Sequence, residues 1–183
     1  MGKAVVIWSI IGFLLISCGG GQKPSPRVHL LPNPKESDIK VEKPSHKIVI
    51  PYKRTASGLI EVCVSINGVP FNMCWDTGST VTSISWLELA KLAKEHAITE
   101  DDMISNEDID ENNSYCSERT FNINEFLIYG IDNNRLTFYN IPITVHNNYN
   151  SLMRIGQDII RKLPKHTFNE DTMFIEFETT YEF

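Results

Sequence analysis

Hydrophobic and polar residues alternate most cleanly between Ile60 and Trp75. Val62, Val64 and Ile66 share one face of a first run, and Val69, Phe71, Met73 and Trp75 share one face of a second. A period of two over seven residues predicts a half-buried strand in each case. Between them lies Asn67-Gly68, the pair a tight hairpin turn demands because both central residues take left-handed backbone. A two-residue turn sets Val62 opposite Met73 and Val64 opposite Phe71, so the apolar faces agree. The same register leaves Cys63 opposite Asn72 and only diagonal to Cys74, which argues against a disulfide between the two. Trp86 to His96 shifts to helical spacing, with Leu87, Ala90 and Ala93 stepping along it, and stops before the acidic loop Glu100-Asp101-Asp102. Residues 105–113 are polar and acidic, a loop or a weak strand. Phe121–Tyr129 and Arg135–Val145 predict strands around a turn at Asp132-Asn133-Asn134. Leu152 to Ile160 passes from strand into a short helix through Gly156, and Met173–Glu178 alternates once more. Many short strands and little helix predict a mainly β domain, a closed β-barrel or sandwich with one or two short helices.

The first 47 residues break this pattern. Lys3 precedes the apolar run Ala4–Ile16, which is shorter than the roughly 20 residues a membrane-spanning helix needs. It has the form of a signal peptide over residues 1–17. Leu15-Ile16-Ser17-Cys18 resembles a bacterial lipobox, which implies cleavage before Cys18 and acylation of that thiol. An ordinary signal peptide with an incidental Cys18 is the alternative. Residues 18–47 carry Pro24, Pro26, Pro32, Pro34 and Pro44 among polar residues and read as a flexible tether. The folded domain is expected over residues 48–183. The chain is therefore expected to be exported and lipid-anchored in a bacterial cell envelope. Gly19, rather than aspartate, after Cys18 leans toward a periplasmic or outer-membrane-facing position.

Composition narrows the function. The chain has 183 residues, 42% of them hydrophobic, enough for one domain with a core. A net charge of −6 and no run of lysine or arginine argue against a nucleic-acid partner. Beyond Cys18 there remain Cys63, Cys74 and Cys116, an odd number, so at least one thiol stays unpaired. The five histidines are scattered, and the acidic stretch Glu100–Glu111 lacks the glycine-bearing loop of calcium hands. Neither a metal nor a cofactor is expected.

The second strand of the hairpin ends in Asp76-Thr77-Gly78-Ser79. Alone, an aspartate there is a turn cap. The order of pieces changes that reading: Ile66-Asn67-Gly68, then Asp76-Thr77-Gly78-Ser79, then Ile155-Gly156-Gln157-Asp158-Ile159-Ile160, then Phe168 and Met173-Phe174-Ile175-Glu176-Phe177. Spanning about residues 58–178, this series resembles the retropepsin-like (clan AA) aspartic proteases, in particular their exported bacterial lipoprotein type. The resemblance implies that Asp76 is catalytic and that the chain hydrolyses peptides or proteins. Two adjacent carboxylates share one proton; the ionised one draws a proton from water and the protonated one supports the carbonyl oxygen. It further implies that Thr77 reaches across to the opposite loop, that Gly78 permits close backbone approach, and that the Ser79 hydroxyl buttresses Asp76. Ile155 and Gly156 are implied to pack beneath the loop. Only one Asp-Thr-Gly occurs, so the active form implied is a twofold homodimer with one Asp76 from each copy. Asp158, placed after Gly156 at the start of a short helix, reads as a structural cap.

Two features depart from the retroviral pattern. No glycine occurs between Gly78 and Gly130, which puts the turn of any flap at Glu111-Asn112-Asn113-Ser114. Gln157 stands where arginine braces the retroviral dimer. The reading from a different class is a non-catalytic module that keeps the fold for peptide binding or dimerisation at the membrane.

Overall fold

The structure, a computed structural model, describes residues 39–41, 48–104, 119–146, 148 and 151–178. The expected signal peptide, Cys18, most of the tether, the acidic stretch beyond Ile104 with its turn at Glu111–Ser114, and Cys116 lie outside the described residues. The strands are β1 (Lys40–Val41), β2 (Val49–Arg54), β3 (Ile60–Ile66), β4 (Val69–Trp75), β5 (Ser83–Ser85), β6 (Met103–Ile104), β7 (Arg119–Tyr129), β8 (Arg135–His146), β9 (Arg154–Ile155), β10 (His166–Asn169) and β11 (Phe174–Phe177). Helix α1 spans Trp86–Lys94, and the short α2 spans Gln157–Ile160. The expectation of a mainly β closed barrel with short helices holds.

The barrel closes because β3 pairs on both sides. It pairs with β4 across the hairpin and with β7 on its other edge, so the ring runs β3–β4–β9–β5–β8–β7 and returns to β3. The hairpin has the register expected from its sequence, Val62 against Met73 and Val64 against Phe71. Asn67 (φ 46°) and Gly68 (φ 85°) both sit in the left-handed region that the two-residue turn requires. Asn67 also ties the turn to its surroundings. Its amide donates to Ala97 O (2.7 Å), and its side-chain oxygen accepts from Glu125 N (2.9 Å). The β7–β8 hairpin turns through Asp132 (φ 54°) and Asn133 (φ 60°), where asparagine and aspartate tolerate this backbone. Inward-facing side chains of β3, β4, β7 and β8, among them Val64, Ile66, Met73, Phe126, Phe138 and Ile141, fill the interior. The aromatics Trp75, Phe121, Phe126, Phe138 and Phe177 are buried, while Phe174 is half-buried.

Outside the ring, β2 joins β3, and β11 and β10 extend that sheet. Lys40–Val41, inside the stretch expected to be a tether, pairs with Tyr139 and Phe138 of β8. Ile39 and Val41 pack against the core, a short alternation that the surrounding prolines and charges conceal in the sequence.

Helix α1 is shorter and rotated relative to the sequence pattern. It buries Leu89 and Leu92, whereas Leu87 is 63% exposed. The phase is set from the strand before it. Ile84 points into the core, and Ser85 caps the helix through a capping box with Glu88. The helix ends at Lys94 because His96 (φ 57°) turns left-handed, and Ala97 N then donates to Leu92 O (2.9 Å). This is a Schellman closure with histidine in the position glycine usually takes.

Candidate active site

Strand β4 carries Asp76 out of the barrel beside β9. Asp76 N donates to Ile155 O (3.0 Å), which continues the parallel β4–β9 pairing by one bond. The chain then turns. Gly78 N donates to Asp76 Oδ1 (2.9 Å), and Ser79 N to Asp76 O (3.2 Å). A methyl group at Gly78 would lie 3.2 Å from Asp76 Oδ1, so a glycine here keeps the space beside the carboxylate clear. The Asp76 side chain remains 37% exposed.

The loop is held from below by the segment that follows β9. Gln157 N donates to Ser79 O (2.9 Å), and Asp158 N to Thr80 O (3.2 Å). The Gln157 amide donates to Thr77 O (2.8 Å) and accepts from Arg161 Nε (3.2 Å). Gln157 thus braces its own chain's loop with a neutral amide. Gly156 crosses directly under the loop. A methyl group built there would fall 2.4 Å from both the carbonyl carbon and oxygen of Val81, and 2.9 Å from Thr82 N. Only hydrogen fits.

Asp158 belongs to this scaffold. Its carboxylate accepts from Thr82 N (2.9 Å), Thr82 Oγ1 (2.7 Å) and Ile159 N (2.9 Å). Thr82 Oγ1 accepts in turn from Gly156 N (3.0 Å). Asp158 therefore clamps the far side of the loop, beyond the helix-capping role that its position suggests.

The structure thus brings Asp76, Thr77, Gly78, Ser79, Ile155 and Gly156 together around one loop. Thr77 is exposed at the tip, and Ile155 is fully buried beneath. One expected contact differs. The Ser79 hydroxyl donates to Val81 O (2.8 Å) rather than to the Asp76 carboxylate. The reason is local, since Asp76 Oδ1 already accepts Gly78 N while the Val81 carbonyl lies within reach. Ser79 stiffens the loop instead of touching the acid.

Two residues near Asp76 escape a reading of the sequence. Arg154 Nε lies 3.4 Å from Asp76 Oδ2, and the Arg154 side chain is 38% exposed. Ser83 pairs with Arg154 across β5 and β9, and its hydroxyl is buried with no hydrogen-bond partner among the described residues. The available signal was a single charge in the apolar run Met153-Arg154-Ile155. Cys74, one residue before Trp75, is buried and forms no disulfide among the described residues. Burial pushes its thiol above the ordinary value, and the charges of Glu61 and Asp76 add to this while Arg154 opposes it.

No protein-family model and no curated protein matches the chain. Among solved structures, it is similar to a retropepsin-like aspartic protease from Rickettsia conorii, with a TM-score of 0.48 and 14% identity over 76% of this chain and 93% of that one. It is also similar to the retroviral protease-like domain of Ddi1 from Leishmania major, with a TM-score of 0.39 and 11% identity over 68% of this chain and 98% of that one.

Proposed function

We propose that the chain is an aspartic endopeptidase, exported and lipid-anchored through Cys18 in a bacterial cell envelope. In this reading a water is activated between the Asp76 carboxylates of two copies. One observation carries it. The Asp76 carboxylate stays open to solvent on a loop whose backbone is fixed from beneath by Ile155, Gly156, Gln157 and Asp158. A turn cap needs no such support, whereas catalysis rewards reacting groups held in place before substrate arrives. A single carboxylate supplies only half of the acid–base pair, so the proposal requires a twofold homodimer. The ionised Asp76 then takes a proton from water, and its protonated twin donates a hydrogen bond to the substrate carbonyl.

The Arg154–Asp76 ion pair favours a second reading, because it gives the carboxylate a partner already. In that reading the chain binds peptides or its own copy without cutting. The full chain, incubated with a mixed peptide pool between about pH 3 and 8, separates the two. Cleavage that a pepstatin-type inhibitor blocks, and that Asp76→Asn abolishes without loss of folding or dimer, supports the protease. Peptide binding by a dimer with no cleavage at any pH supports the module. Cleavage that survives Asp76→Asn removes Asp76 from the chemistry.

A further inference from the structure

The barrel wall carries a row of mostly polar residues beside Asp76, on the side of the strands turned from the core. Residues directly opposite one another in neighbouring strands share a face. The pairings Glu61–Cys74, Cys74–Arg154, Arg154–Ser83 and Ser83–Thr144 therefore align one row across β3, β4, β9, β5 and β8. Their chain neighbours Met73, Ile155 and Ile84 point the other way and are buried in the core. At the middle of the row sits a guanidinium half open to solvent, next to the buried Ser83, whose hydroxyl lacks a partner among the described residues. Among the described residues, the charges facing Arg154 are Asp76 at 3.4 Å and, two strands away beyond Cys74, Glu61.

Resting on the protease reading, we propose that Arg154 selects substrates with an aspartate or glutamate next to the bond that is cut. The argument is one of reach. The carbonyl and the attacking water must come within hydrogen-bond distance of Asp76, and an extended peptide advances about 3.3 Å per residue. A guanidinium 3.4 Å from Asp76 therefore meets the side chain immediately flanking the scissile bond. Its forked donors match a carboxylate in two places. When a substrate carboxylate engages Arg154, the arginine exchanges partners and Asp76 is left to share a proton with its twin. Twofold symmetry places one Arg154 on each side of the cut, so an acid on either flank is recognised.

The test uses the full chain and matched peptides that differ at one flanking position, glutamate against its neutral isostere glutamine, above about pH 5 where glutamate is ionised. The expected kcat/KM for the glutamate peptide is about tenfold higher, the lower end for a charge-assisted bond because Arg154 is partly exposed. The preference shrinks with added salt. Arg154→Met brings the ratio to about one, and Arg154→Lys keeps part of it. Because each value is a ratio within one variant, a general loss of activity does not disturb it. Equal rates for the two peptides with the unmodified chain overturn the subsite and leave the protease standing. A preference that persists in Arg154→Met removes Arg154 from the role. Failure to cut any peptide overturns the protease reading and the subsite with it.

Discussion

Replacing Gly156 with alanine adds one methyl group where the chain passes under the Asp76 loop. The backbone there (φ −96°, ψ −176°) is extended and suits alanine as well as glycine, so any effect is steric. The new carbon falls 2.4 Å from the Val81 carbonyl oxygen, about 1 Å short of an ordinary non-bonded separation. Both surfaces are backbone, held by the Gln157–Ser79 and Asp158–Thr80 bonds, so neither can swing aside as a side chain would. Either the loop lifts by most of that distance or α2 is pushed away and its bonds to Thr82 stretch. Overpacking of this kind costs about 1–3 kcal/mol, and a displacement near 1 Å at a reacting group costs about a hundredfold in rate. Urea denaturation followed by tryptophan fluorescence measures the first, and peptide cleavage the second. Gly68→Ala is the control, because that residue has φ 85° with open space around it and lies at the opposite end of β4 from Asp76. It should lose about 1 kcal/mol and keep its activity. A Gly156→Ala chain as stable as the parent, within about 0.3 kcal/mol and with unchanged rates, refutes the close crossing of Gly156 beneath Val81.

Asp158→Ala leaves the buried Thr82 amide and hydroxyl without their acceptor; a loss of about 1–3 kcal/mol in urea melts is expected, with Asp158→Asn milder. Among the described cysteines, exposed Cys63 should react with iodoacetamide at neutral pH, while burial and the raised thiol of Cys74 keep it unmodified until denaturant is added, as read by peptide mass mapping. The Arg54 hydrogen bond holds Glu170 below the ordinary carboxylate range. The small stabilisation it gives is complete above the unfolded carboxyl value and fades as pH falls through the lowered one; NMR titration of Glu170 should move to the ordinary value in Arg54→Leu.

How much of this was legible depends on how locally each feature is determined. The β3–β4 register could be read to the residue, because alternation fixes the faces and Asn67-Gly68 fixes the offset. The Asp76 loop and its crossing at Gly156 were legible as a series of short motifs. Strand β5 was not, since Ser83-Ile84-Ser85 is three residues long and owes its strand form to β8 and β9 on either side. Strand β2 contains Pro51, which reads as a breaker but sits exposed. The helix was found, yet its buried stripe was placed one residue late because its phase is inherited from Ile84. Arg154 is the clearest omission. Nothing in Met153-Arg154-Ile155 announces that parallel pairing with β4 will set its guanidinium beside Asp76.

The pairing of β11 with β2 bears on how the molecule is made. Ile175 lies against Ile50, and Tyr52 of the same strand lies against Val62 in the barrel wall. More than a hundred residues separate the two partners, so the ribosome must pass Phe177 before the nascent chain can complete this seam. Until then a hydrophobic strand waits with one edge unsatisfied, a state that invites wrong pairing. Removing the β10–β11 hairpin should therefore be felt at β2, as a defect of biogenesis as much as of stability.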